Sequence, residues 1–124
     1  MDHAPGFLKL VNDARTRVKE ITIEQARERL AQNPRVILMD VREDMEWKNG
    51  HAREATHLGK GILERDLEAT VPDSTTEVIM YCGGGYRSVL TAEVAQRMGY
   101  KNVASLIGGY KGLMAANWPM KKGD

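Results

Sequence analysis

The chain has 124 residues, 42% of them hydrophobic, and a formal net charge of +1 at pH 7. That is the length of one domain with enough apolar content for one core, and so even a charge balance argues against nucleic acid or a membrane surface as partner. A single cysteine excludes an internal disulfide, and a thiol that has to stay reduced fits a reducing compartment, so the cytoplasm is expected.

Residues Met1 to Gly6 read as loose. Phe7, Leu8, Leu10, Val11, Ala14 and Val18 recur at helical spacing, which predicts a helix whose apolar face packs on the main body. Phe7 to Val11 is too short, and with Lys9 too charged, for the apolar core of a signal peptide, and no run is long enough to span a bilayer. An N-terminal helical extension over residues 1–20 and a domain over 21–124 follow. Val18 to Ile21 can also start the first strand. Thr22 and Gln25 have capping-box spacing, so a helix begins there and is broken by Asn33-Pro34. Val36 to Met39 is a continuous apolar run, as in a strand buried on both faces of a parallel sheet, and it leads into Asp40-Val41-Arg42. Glu43 to Lys48 reads as a helical turn with Trp47 inward, and Asn49-Gly50 as a turn. Ala55 to Leu58 reads as a short strand, and Ile62, Leu63 and Leu67 as a helix ending before Val71-Pro72. Val78 to Tyr81 is the next buried strand, Val89 to Met98 a helix closed by Gly99, Val103 to Ile107 a last strand, and Tyr110 to Ala116 a final short helix.

Strands alternating with helices predict a three-layer α/β/α domain, with a mainly parallel sheet of about five strands. Ligands in such folds bind beyond the carboxyl ends of the strands. Asp40 with Arg42, Cys82 with the residues after it, and Gly108-Gly109 all fall there.

The stretch Tyr81-Cys82-Gly83-Gly84-Gly85-Tyr86-Arg87-Ser88 stands out among them. It joins a strand to a helix through three glycines. A tight curl of backbone entering a helix N-terminus aims several N–H groups at one place and attracts anions. A sulfur at its centre is favoured in its ionised, nucleophilic form, and Arg87 adds a positive charge at the rim. Cys82 is therefore the candidate nucleophile, with the amides of Gly83, Gly84, Gly85, Tyr86, Arg87 and Ser88 as candidate donors to it and to a substrate.

With Asp40-Val41-Arg42 and Glu46-Trp47, Gly50-His51, the cysteine loop, and Gly99-Tyr100 through Gly108-Gly109, the chain resembles a single-domain rhodanese. The resemblance spans Thr22 to Pro119 and implies a sulfurtransferase. Cys82 would accept a sulfane sulfur from thiosulfate, polysulfide or a persulfide, become a persulfide, and pass the sulfur to a thiophilic acceptor such as cyanide, a small thiol or a protein. Arg42 is a candidate substrate ligand and Asp40 a supporting residue that orients the loop. The residue after the cysteine is Gly83, where thiosulfate-type loops often carry a basic residue, so polysulfide or persulfide is the expected donor. Ala52-Arg53-Glu54 departs from the family's usual Ile-Pro-Gly, and Leu113 stands where a tryptophan is common.

Other readings differ at particular residues. A phosphatase or arsenate reductase on a related fold uses a longer cysteine loop, and only four residues separate Cys82 from Arg87. A non-catalytic module on this fold usually lacks the cysteine. A sulfur carrier with a dedicated protein partner differs only in the acceptor. No cofactor is expected. His3 and His57 have no partners at metal-ligand spacing, so no metal is expected either.

Overall fold

The computed structural model describes residues 3–124. Of the segment read as loose, Met1 and Asp2 lie outside the described residues, and helix α1 (Pro5–Arg15) already begins at Pro5. Proline suits that position, because its fixed φ is helical and its missing N–H would have no partner there. The chain continues as β1 (Lys19–Ile21), α2 (Ile23–Gln32), β2 (Ile37–Asp40), α3 (Asp44–Asn49), β3 (His51–Ala52) and β4 (Thr56–His57). A 3₁₀ turn at Lys60–Ile62 precedes α4 (Leu63–Thr70), β5 (Val78–Tyr81), α5 (Arg87–Arg97), β6 (Val103–Leu106), α6 (Gly109–Ala115) and β7 (Met120–Lys121). The capping box forms as spaced: Thr22 Oγ1 accepts from the Gln25 amide at 3.1 Å, and the Thr22 amide donates to Gln25 Oε1 at 2.9 Å.

Five strands make one parallel sheet in the order β1-β6-β5-β2-β4. Lys19 and Glu20 already pair in it, so the sheet begins inside the segment read as an extension. Because side chains alternate along a strand, the sheet feeds two cores. Val78 and Met80 pack with Val11 and Ala14 of α1, Leu67 of α4 and Val89, Ala92 and Ala95 of α5. Ile79 and Tyr81 pack on the other face with Ala26 of α2, Leu113 of α6 and Trp118. The layers are therefore α/β/α. Cys82 continues the alternation and falls in the first core.

Two elements have no counterpart in the sequence reading. β3 and β7 pair antiparallel, His51 opposite Lys121 and Ala52 opposite Met120. Strands of two residues carry no periodicity to read. Among the described residues no helix is long and apolar enough to cross a membrane.

Candidate active site

The carboxyl ends of β2, β5 and β6 lie side by side. Asp40 pairs with Tyr81, Met80 with Ser105, and the Val41 amide donates to the Tyr81 carbonyl at 2.9 Å. Cys82 therefore emerges between the loop after β2 and the start of α6. Its sulfur is at the centre of a small set of donors. The amides of Gly85 and Ser88 approach Sγ at 3.2 and 3.3 Å, and the Ser88 hydroxyl lies 3.4 Å away. Ser88 is fully buried, and its Oγ is 2.7 Å from that of Ser105, also fully buried. Of the six loop amides expected from sequence, two meet the sulfur.

The loop depends on two glycines. Gly85 has φ +96°, and a Cβ there would lie 3.2 Å from the Gly108 nitrogen and 3.3 Å from the Leu106 carbonyl oxygen. Gly109, at φ +54°, approaches so closely that a Cβ would lie 2.5 Å from the Cys82 carbonyl oxygen. That approach lets the Tyr110 and Lys111 amides, in the first turn of α6, donate to the carbonyls of Cys82 and Gly83 at 2.7 and 3.1 Å. The carbonyls of Cys82 and Gly83 are thereby satisfied from the α6 side, while the Gly85 and Ser88 amides meet the sulfur. Gly84 has no such constraint: its φ is not positive, and a Cβ there would meet nothing within 4 Å.

The two arginines sit differently from each other. Arg42, expected at the substrate, is only 4% exposed. Its Nε and Nη2 bond to the Asp40 carboxylate at 2.8–3.1 Å, and Nη2 also donates to the Gly50 carbonyl at 2.6 Å. The guanidinium lies 4.1 Å from the centroid of the Tyr110 ring, and Arg42 is not among the residues lining the cavity over Cys82. Burial is the largest single influence on its pKa and would lower it, but the hydrogen bonds and charge of Asp40, with the nearby Tyr81 and Glu46, together raise it. Asp40 also accepts from the Arg42 amide at 2.9 Å, so it braces its own loop. Arg87 does line the cavity, but in a two-pronged pair with Glu46, Nη1 and Nη2 donating at 2.7 and 2.9 Å. Those bonds hold the Glu46 carboxyl below the ordinary glutamate range against the opposing effect of burial, and the Glu43 amide helps.

Trp47 is half-buried and stacked between two histidines, with His51 at 3.4 Å and 2° and His57 at 4.7 Å and 9°. His51 Nδ1 lies 2.8 Å from the Trp47 carbonyl, and His57 Nε2 lies 2.9 Å from that of Arg42. A carbonyl only accepts, so each of those ring nitrogens carries a proton. The Tyr81 phenol accepts from the Ala52 amide at 3.1 Å, and burial, followed by the nearby Asp40, raises its pKa well above the tyrosine range.

Above the sulfur lies a cavity of about 670 Å³. Cys82, Gly83, Gly84, Tyr86 and Arg87 line it, as do Gly108, Lys111, Glu46, Phe7 and His3. The last four were not read from sequence as site residues. Glu46 had a signal, since it belongs to the segment after Arg42 that carries the family likeness. Lys111 follows the Gly-Gly turn but has no local mark. Phe7 reads as an ordinary core residue of α1. Among the described residues no group of three or more His, Cys, Asp or Glu could hold a metal ion.

The Rhodanese-like domain family model matches residues 22–116. The thiosulfate sulfurtransferase GlpE of Haemophilus influenzae is 39% identical over 102 residues, covering 82% of this chain and 93% of its own. A solved Rhodopseudomonas palustris protein of unknown function, described as a possible tyrosine phosphatase, is 25% identical with a TM-score of 0.80 over 98% of both chains. The polysulfide-sulfur transferase homodimer of Wolinella succinogenes has the same fold, with a TM-score of 0.80 at 24% identity over 94% of this chain and 88% of its own.

Proposed function

The chain belongs to the rhodanese-like domain family, and on that premise we propose that it is a sulfurtransferase whose Cys82 carries the sulfur. The ionised Sγ attacks the outer sulfur of a donor. With thiosulfate, the new S–S bond forms as the old one breaks, and sulfite leaves with the electron pair. The resulting persulfide then gives its outer sulfur to an acceptor: cyanide leaves as thiocyanate, and the Cys82 thiolate is restored. No outside oxidant or reductant enters either step.

The observation that carries this reading is the donor set around Sγ. Two amides and a hydroxyl converge on one sulfur, a preorganised arrangement that stabilises negative charge without moving a proton. Arg87 holds the end of the loop at the rim through Glu46, and Asp40 with Arg42 braces the neighbouring loop after β2. A small sulfur-containing anion as donor and a thiophilic acceptor, either a small thiol or a protein, fit that chemistry. The loop also separates this reading from phosphoryl chemistry. A phosphoryl group needs several oxygens satisfied at once, whereas the short loop brings two of its amides to one atom and Arg87 is engaged by a carboxylate.

Mass spectrometry tests the proposal after incubation with thiosulfate and, separately, with polysulfide. Gain of one sulfur on Cys82, removed by cyanide, is the expected result. Polysulfide is expected to load faster, because the Arg87 charge is shared with Glu46. Efficient hydrolysis of para-nitrophenyl phosphate with no persulfide from any donor would overturn it.

A further inference from the structure

The cavity over Cys82 is far larger than an inorganic sulfur anion needs, and one of its walls comes from outside the family-matched segment. Phe7 and His3 belong to the N-terminal segment, and with Tyr86 they form an aromatic cluster. His3 lies 4.2 Å from the Tyr86 ring and 5.4 Å from Phe7, and Phe7 lies 6.4 Å from Tyr86. All three are half-buried. The wall is held in place. Val11 and Ala14 of α1 are fully buried, Arg17 Nε donates to Glu93 of α5 at 2.6 Å, and the Arg15 guanidinium lies 4.8 Å from the Tyr86 ring centroid. The same cavity is lined by one carboxylate, Glu46, and two cations, Arg87 and Lys111. Arg87 is already neutralised by Glu46, so the lining offers Lys111 as the cation in excess.

A cavity lined by the sulfur, one surplus positive charge and an aromatic wall complements a singly charged molecule with an apolar body. We propose that His3, Phe7 and Tyr86 form a subsite for the organic group of a monoanionic sulfane-sulfur donor of the thiosulfonate type, R–SO₂–S⁻, with Lys111 facing its anionic end. The inference rests on the sulfurtransferase reading of Cys82. The transfer balances as it does for thiosulfate: Sγ bonds to the terminal sulfur, that sulfur's bond to the sulfonyl group breaks, and the sulfinate R–SO₂⁻ leaves with the electron pair. An apolar group that leaves water against such a wall contributes in proportion to the area it buries.

Methanethiosulfonate and 2-phenylethanethiosulfonate test this, since the reacting atoms are alike and only the tail differs. Single-turnover persulfide formation at Cys82 is followed by mass spectrometry, each rate being divided by that of the same donor with a small thiol in solution. The phenylethyl compound is expected to load the wild-type protein with about tenfold higher kcat/KM, a modest fraction of what burying an aromatic ring can supply. Phe7→Ala is expected to bring the ratio of the two donors close to one, and His3→Ala, placed ahead of the helix, to lower it by a smaller factor. Equal loading by both donors in the wild-type protein overturns the subsite while leaving the sulfurtransferase reading intact. A preference that survives both substitutions overturns the assignment to this wall. If neither thiosulfonate, thiosulfate nor polysulfide loads Cys82, the sulfurtransferase reading falls and the subsite with it.

Discussion

The loops after β2 and β5 both end a parallel strand, both place an arginine near the same crevice, and both pair that arginine with a carboxylate. They differ in burial. Arg42 and Asp40 are sealed at 4% and 0% exposure, whereas the Arg87 and Glu46 side chains keep 30% and 37%. A buried ion pair is a structural commitment, because separating it strands a charge in a medium that cannot solvate it. A half-exposed pair at a cavity rim can be remade around a ligand. The β2 loop therefore braces the site, and the β5 loop holds the sulfur to which the proposed chemistry is assigned.

The largest expected effect belongs to the β5 loop. Cys82→Ser keeps nearly the same volume but replaces a strong nucleophile with a weak one. Sulfur transfer to cyanide should fall to the background rate while the urea midpoint stays close to wild type. The β2 loop should respond in the opposite way. Arg42→Ala leaves the Asp40 charge buried without its partner and should cost about 3–5 kcal/mol in urea unfolding. Arg87→Ala should cost about 1 kcal/mol or less, since its pair is partly solvated, yet it should weaken sulfur transfer through the loop it supports. An Arg42→Ala variant as stable as the wild type would erase the distinction.

Within the β5 loop the contrast can be sharpened between two adjacent glycines. Gly85→Ala forces a side chain into positive φ against the Gly108 and Leu106 backbone and should cost about 1–3 kcal/mol, with lower transfer activity. Gly84→Ala meets open space and should stay within about 0.5 kcal/mol of wild type. The smallest effect concerns acid pH. The folded-state pKa of Glu46 is depressed by Arg87, so its contribution is present above the unfolded value of about 4.3. It is lost as pH falls through the lower folded value. Because the pair is partly exposed, the loss should be less than about 1 kcal/mol. Unfolding curves at pH 6 and pH 3 should differ less for Glu46→Gln than for the wild type.

Much of this protein could be read along the chain. The capping box at Thr22 and Gln25, the apolar runs of β2, β5 and β6, and Gly99 at φ +104° depend on dihedral preference and periodicity over a few residues. So does the cysteine at a glycine-rich junction of strand and helix. The pairing of β3 with β7 joins His51 to Lys121 and has no local mark. Neither has the close approach of Gly109 to Cys82, which accounts for the second half of the Gly-Gly pair.

The sequence by itself determined which residue is the candidate nucleophile and what kind of backbone surrounds it, because both are properties of neighbouring residues. Only the tertiary structure decided that Arg42 is sealed with Asp40, that Arg87 is held by Glu46, and that Phe7 and Lys111 stand over the sulfur. An arginine's role depends on which carboxylate reaches it and how much water remains, and both are set by elements distant in the chain. An apolar residue on a helix has the same spacing whether it fills a core or walls a cavity, and the packing of α1 on α5 puts Phe7 where it does both.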